Sequence, residues 1–262
     1  METTSLYRRL NSETFVIAGP CVMESYELLR TVAKEVKRLE GKFNIPFVFK
    51  SSFDKANRTA ISSFRGPGIE EGMRWMAEIK KEFDLPVTTD IHESWQAKQL
   101  GAVVDIIQIP AFLCRQTDLL VESAKTGKIV NIKKAQFLAA TDMKYAVEKV
   151  KESGNDEILL TERGSIFGYG NLVVDFRNIP VMKSLGVPVV MDCTHAVQKP
   201  SGGSTTGGNR EYIEPVAFSA KAFGTSGYFF EVHPDPDKGL SDGPNMYYLD
   251  KFEGLLERLL TK

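Results

Sequence analysis

Ten residues, Lys50 to Thr59 (KSSFDKANRT), carry three cationic side chains, an asparagine and three hydroxyls, directly after the apolar run Phe47-Val48-Phe49. Lys50 and Lys55 offer compact charges, and Asn57, Arg58 and Thr59 form a polar fork suited to phosphate oxygens. Further cations, Arg115, Lys133, Lys134 and Arg163, follow other apolar runs in a chain whose formal net charge is only −1. Polar residues end strands in any protein because loops are exposed. Cations gathered from several strand ends point instead to a substrate with several negative charges, phosphate or carboxylate. Lys133 or Lys134 could also serve as a Schiff-base nucleophile on a barrel strand.

A second set combines Cys21, His195, Glu231 and Asp242. A thiolate, an imidazole and two carboxylates suit a borderline divalent cation such as Fe2+, Zn2+ or Mn2+, whereas Mg2+ favours oxygen alone. His92 and His233 are competing ligands that spacing does not exclude. The three cysteines, Cys21, Cys114 and Cys193, form no CxxC pair and cannot all join intramolecular disulfides, which fits a reducing compartment.

These residues need a scaffold that brings distant strand ends together. Eight short β-rich runs recur, beginning at Phe15, Phe47, Val87, Ile106, Ile129, Glu157, Val189 and Tyr228. Helical periodicity marks Glu24 to Lys42, where Leu28, Val32, Val36 and Leu39 share a face, and also Gly68 to Phe83 and Leu249 to Leu260. Near-continuous apolar strands alternating with amphipathic helices predict an α/β fold, a (β/α)8 TIM barrel occupying residues 1–262 as a single domain, with 1–14 as an N-terminal extension. An open doubly wound sheet is the structural alternative, weakened because no GxGxxG follows the first strand. In a barrel the seventh, eighth and first strands are neighbours, so Cys21, His195, Glu231 and Asp242 can converge. The Gly-rich stretch Pro200 to Gly208 reads as an active-site loop that could close over bound substrate.

Lys and Arg (33) balance Asp and Glu (34), so no global field draws the chain to nucleic acid or to a membrane surface. No window reaches the roughly 18 apolar residues that a span requires, and the first residues lack the apolar core of a signal peptide. The expectation is a cytoplasmic protein acting on small molecules.

The segments IAGPC, FKSSFDKANRT, TTDIHE, IQIPAFLCRQTDLL, VNIKKAQF, LTERGSIFGYGNLVVDFR, DCTHAVQ and EVHPDPDKGLSDGP, in order from about Phe15 to Asn245, resemble the 3-deoxy-D-manno-octulosonate 8-phosphate synthases. IAGP and TER are shared with the related 3-deoxy-D-arabino-heptulosonate 7-phosphate synthases, which typically carry KPRTS where this chain has KANRT. The resemblance implies condensation of phosphoenolpyruvate with arabinose 5-phosphate, in a cytoplasmic homotetramer supplying a sugar of lipopolysaccharide. It places phosphoenolpyruvate on Lys50, Lys55, Gln108, the backbone of Ala111, Lys133, Gln136 and Arg163. The sugar phosphate falls to Asn57, Arg58 and Thr59, with Arg115 from a neighbouring subunit; Thr59 stands where serine is more familiar. Lys50, Lys55, Asn57, Lys133 and His195 are then the catalytic candidates. Cys rather than Asn after Gly19-Pro20, and Ser241 before Asp242, match the branch that uses a divalent metal, with Cys21, His195, Glu231 and Asp242 as ligands.

Overall fold

A computed structural model describes residues 3–58, 60–166, 170–199 and 207–261. Eight strands pair in chain order and all in parallel: β1 (Phe15–Gly19), β2 (Phe47–Lys50), β3 (Val87–Asp90), β4 (Ile106–Ile109), β5 (Ile129–Lys133), β6 (Ile158–Glu162), β7 (Val189–Asp192) and β8 (Gly227–His233). Strand β8 returns to β1, with Phe15 opposite Gly227 and Gly19 opposite Glu231. That pairing closes the sheet into a (β/α)8 TIM barrel and leaves no place for the open-sheet alternative.

The helices are α1 (Thr3–Ser12), α2 (Tyr26–Phe43), α3 (Ile69–Phe83), α4 (Gln96–Gly101), α5 (Thr117–Lys125), α6 (Met143–Glu152), α7 (Asn178–Lys183), α8 (Ile213–Ala222) and α9 (Leu249–Leu260). Helix α2 starts where Ser25 accepts from the Leu28 amide at 3.1 Å and ends where Asn44 turns left-handed. Its core stripe is Leu29, Val32, Ala33, Val36 and Leu39, so Leu29, rather than the expected Leu28, is the fully buried member of the first turn. Every residue of the eight barrel strands is buried, because one face meets the helices and the other meets the barrel interior.

The interior is divided along its axis. Towards the strand starts, Phe15, Ile17, Val48, Ile106, Ile129, Leu159, Val190 and Phe229 form one apolar cluster, and α1 seals it from below with Leu6 and Leu10. Within the stretch 1–14, read from sequence as an extension, α1 thus supplies the floor, pinned further by Tyr7 donating to the Ile158 carbonyl at 3.1 Å. Side chains alternate faces along a strand, so the same inward row continues two residues later. Val48 gives way to Lys50, Ile106 to Gln108, Val190 to Asp192 and Phe229 to Glu231. The floor is oil and the mouth is charge.

Because Leu10 is fully buried in that floor, Leu10→Ala should lower the unfolding free energy by about 2–5 kcal/mol. Ile61→Ala, at a fully exposed side chain, should change it by no more than about 0.5 kcal/mol. Urea unfolding of the two variants beside the parent checks the contrast.

Candidate active site

At the carboxyl ends of the strands lies a cavity of about 450 Å3. Strand β2 and its following loop bring Lys50, Lys55, Asn57 and Arg58 to it; β3 brings Asp90; β4 and its loop bring Gln108 and Ala111. Lys133 and Gln136 reach it from β5, Arg163 from β6, His195 and Gln198 from beyond β7, and Asp242 from beyond β8. Thr59 lies outside the described residues, as do residues 200–206 of the Gly-rich stretch. The end of that stretch is described: Gly207–Gly208 pairs antiparallel with Gln198–Lys199.

Two cations read from sequence as part of the mouth are elsewhere. Lys134, one residue past Lys133, points to the opposite face of its strand, where it is fully buried, 3.5 Å from Glu162 and bonded to Ser165 Oγ and the Gly164 carbonyl. Arg115 is exposed and does not line the cavity of this single chain.

Beneath the mouth the charges are paired. Lys50 Nζ donates to Glu231 Oε1 at 3.1 Å, to Ser52 Oγ at 3.0 Å and to the Cys21 carbonyl at 3.2 Å, while Lys55 Nζ stands 3.8 Å from Glu231. Gly19 permits this arrangement, since a Cβ there would sit 1.9 Å from the Lys50 carbonyl oxygen. Arg163 donates to Gln198 Oε1 at 2.5 Å, and Arg58 donates to Ser241 Oγ at 2.9 Å and Asp242 Oδ1 at 3.4 Å. Burial alone would raise the Glu231 carboxyl, yet His195, Lys50, Lys55 and Lys133 hold it well below the usual carboxylate range. Burial likewise pulls the Lys55 ammonium down, and Cys21, Glu231 and Asp90 overcome it to hold the group above its ordinary value. Lys133 goes the other way: burial lowers it despite Asp192 beside it.

A sulfur and two carboxylates meet under the cavity wall. Cys21 Sγ and one oxygen each of Glu231 and Asp242 lie within 4.8 Å of one another. His195 Nε2 is 3.4 Å from Glu231 Oε1 and 4.0 Å from Asp242 Oδ2. His195 Nδ1 lies 2.8 Å from Asp192 Oδ2, so the ring donates an N–H there and turns Nε2 towards the carboxylates. Among the described residues the buried Glu231 Oε2 has no hydrogen-bond partner, an unsatisfied acceptor beside Cys21 and Asp242 that a cation would satisfy. Burial, with Glu231 adding to it, pushes the Cys21 thiol up, and a divalent cation would oppose that shift. Cys21, Glu231 and Asp242 therefore fit a borderline divalent metal, with His195 Nε2 on the carboxylate side of the group.

The competing histidines are separated from this nest. His92 lies 3.2 Å from Asp90 and stacks edge-on with Phe53, while His233 accepts from the Asp235 amide at 3.0 Å and faces Glu24 at 3.8 Å. Sequence reasoning missed Asp90, which pairs with His92; Asp192, which holds Lys133 and the His195 imidazole; and Gln198, which accepts from Arg163. The signal for Asp192 was present in VVMD, where an acid ends an otherwise apolar run, and Asp90 likewise closes a buried strand, after two threonines.

The model of the DAHP synthetase I family matches residues 10–261. A 2-dehydro-3-deoxyphosphooctonate aldolase of Nitratidesulfovibrio vulgaris is 54% identical over 256 residues, covering 97% of this chain and 94% of the relative. Proteins of the same name from Fusobacterium nucleatum subsp. nucleatum and Xanthomonas campestris pv. campestris are 55% identical over 243 residues and 54% identical over 252. They cover 92% and 96% of this chain, and 87% and 91% of their own lengths. With a closed barrel, a cationic mouth at its strand ends and likeness along nearly its whole length, the chain belongs to the DAHP synthetase I family.

Proposed function

We propose that this protein is a transferase condensing phosphoenolpyruvate with arabinose 5-phosphate and water, giving 3-deoxy-D-manno-octulosonate 8-phosphate and inorganic phosphate. The observation that carries this reading is the convergence of Lys50, Lys55, Arg58, Lys133 and Arg163 on one cavity. The names of relatives 54% identical to it point to the same product.

In the reaction, C3 of phosphoenolpyruvate bonds to the aldehyde carbon of the sugar. Water oxygen bonds to C2, and the C2–O bond to phosphorus breaks, so phosphate departs with the bridging oxygen. The water oxygen becomes the C2 carbonyl oxygen, and of its two protons one goes to the former aldehyde oxygen and the other to the departing phosphate. Two polyanions repel each other, and the site offsets that repulsion with fixed cations in a water-poor cavity. Lys133, Arg163, Gln108, Gln136 and the Ala111 backbone hold phosphoenolpyruvate towards the β4–β6 side, with Lys50 and Lys55 closing its other flank. Asn57, Arg58 and Thr59 hold the sugar phosphate from the loop after β2. Holding the two anions on opposite sides of the cavity orients the reacting carbons towards each other.

Cys21, His195, Glu231 and Asp242 would hold a divalent cation, Fe2+, Zn2+ or Mn2+, which when bound supplies Lewis acidity towards a carbonyl oxygen or a water molecule. His195 serves there as a ligand rather than as an acid or base, its other nitrogen being engaged by Asp192. Arg115 completes the sugar-phosphate site from a neighbouring subunit of a homotetramer; its exposure outside the single-chain cavity supports that placement. No described helix is long and apolar enough to cross a membrane, which agrees with a cytoplasmic enzyme of lipopolysaccharide sugar synthesis.

The lowered Lys133 favours one second reading, a Schiff-base aldolase with Lys133 as nucleophile. Borohydride treatment in the presence of substrate distinguishes them, and no covalent adduct is expected.

Phosphate release from phosphoenolpyruvate should require arabinose 5-phosphate; release without the sugar, or none with it, would overturn the assignment. Arg58→Ala should raise KM for arabinose 5-phosphate by at least about tenfold, equivalent to one lost charged hydrogen bond, and leave KM for phosphoenolpyruvate within about twofold. Equal losses for both would contradict the division of the cavity. Dialysis against a chelator should abolish turnover and added Mn2+ or Zn2+ should restore it; undiminished activity of metal-free protein would remove the metal from the reaction.

A further inference from the structure

Lys133 and His195 serve different halves of the proposed site, yet one atom holds both. Asp192 Oδ2 accepts from Lys133 Nζ at 2.5 Å and from His195 Nδ1 at 2.8 Å. Its other oxygen accepts from the His195 backbone amide at 2.8 Å and from Thr194 Oγ1 at 3.2 Å. Thr194 Oγ1 in turn accepts from the Glu231 amide at 3.1 Å, so the arrangement extends to a second candidate ligand. Asp192 is fully buried at the end of β7, and the Phe229 ring fills the space below, 4.0 Å from Lys133 Nζ and 5.7 Å from the imidazole. Neither donor can swing away from the carboxylate towards that apolar floor.

We propose that Asp192 is a positioning residue that couples the phosphoenolpyruvate side of the site to the metal side. Two donors compete for the lone pairs of one oxygen. When anionic substrate draws on the Lys133 ammonium, Asp192 is left to hold the imidazole N–H more strongly, and Nε2 becomes the better ligand. A cation on Nε2 polarises the same N–H towards Asp192 and loosens Lys133 for the substrate. Each ligand therefore tightens the other, and by the same factor. An asparagine cannot replace the carboxylate, because its single acceptor oxygen serves one donor pair and turns an NH2 towards the other. The inference rests on the proposed reaction only for the identity of the anion at Lys133.

The test is Mn2+ binding to metal-stripped full-length protein, read from the free-ion paramagnetic resonance signal with and without phosphoenolpyruvate and corrected for the ion–substrate complex in solution. In the parent protein phosphoenolpyruvate should tighten Mn2+ by at least about fivefold. Asp192→Asn should bring that factor below about twofold with far-UV circular dichroism unchanged, and Asp192→Glu, which keeps the charge, should recover part of it. An unchanged Mn2+ affinity in the parent, or a full factor retained in Asp192→Asn, would overturn the proposal. Where Asp192→Asn does not fold, Asp192→Glu decides: a factor smaller than the parent's supports the role of Asp192, and an undiminished one overturns it. Coupling present without phosphate release on adding arabinose 5-phosphate would defeat the proposed reaction alone, whereas turnover without coupling would defeat the role of Asp192 alone.

Discussion

The structure of the mouth depends on opposite charges compensating one another inside a closed barrel. Lys50, Lys133, Asp192 and Glu231 are all buried, and a lone ion so far from water is costly enough to change its protonation or unfold its surroundings. Each is tolerated because a strand two places round the barrel supplies its partner: β2 answers β8 across β1 through Lys50 and Glu231, and β5 answers β7 across β6 through Lys133 and Asp192. Strand closure is thus a precondition for the charges, not merely for the core. The cationic side chains are fixed in place before any substrate arrives, and this preorganisation is what a reaction between two anions requires.

Much of the fold was legible because it follows from burial. Runs such as Phe47-Val48-Phe49 and Ile129-Val130 are apolar on both faces, a pattern that only a strand covered on both sides requires. The boundaries slipped where propensity is silent: β8 begins at Gly227, a residue earlier than expected, where a side chain would strike the Phe15 ring. The floor helix was not legible as a floor, since Leu6 and Leu10 declare an apolar stripe but not what it covers.

The cations of the site could be read because a basic residue after a buried strand is conspicuous in a chain of balanced charge. Which of two adjacent lysines faces inward could not be read without the register, and Lys134 shows the cost of ignoring the alternation. Asp90 and Asp192 escaped notice because an acid at a strand end looks like the start of any solvated loop. Cys21, Glu231 and Asp242 could be grouped from sequence only by their chemistry; closure between β8 and β1 is what brings them within reach of one another, with His92 and His233 outside the group.

The sealed floor has a consequence for traffic. Helix α1 and the apolar cluster above it stop passage along the barrel axis, so whatever enters at the strand ends must leave by the same door. Arrivals and departures share one opening, and a molecule deep on the axis is trapped for as long as a later arrival stands in front of it. An order of exchange is therefore written into the shape of the vessel, without any moving part having to enforce it.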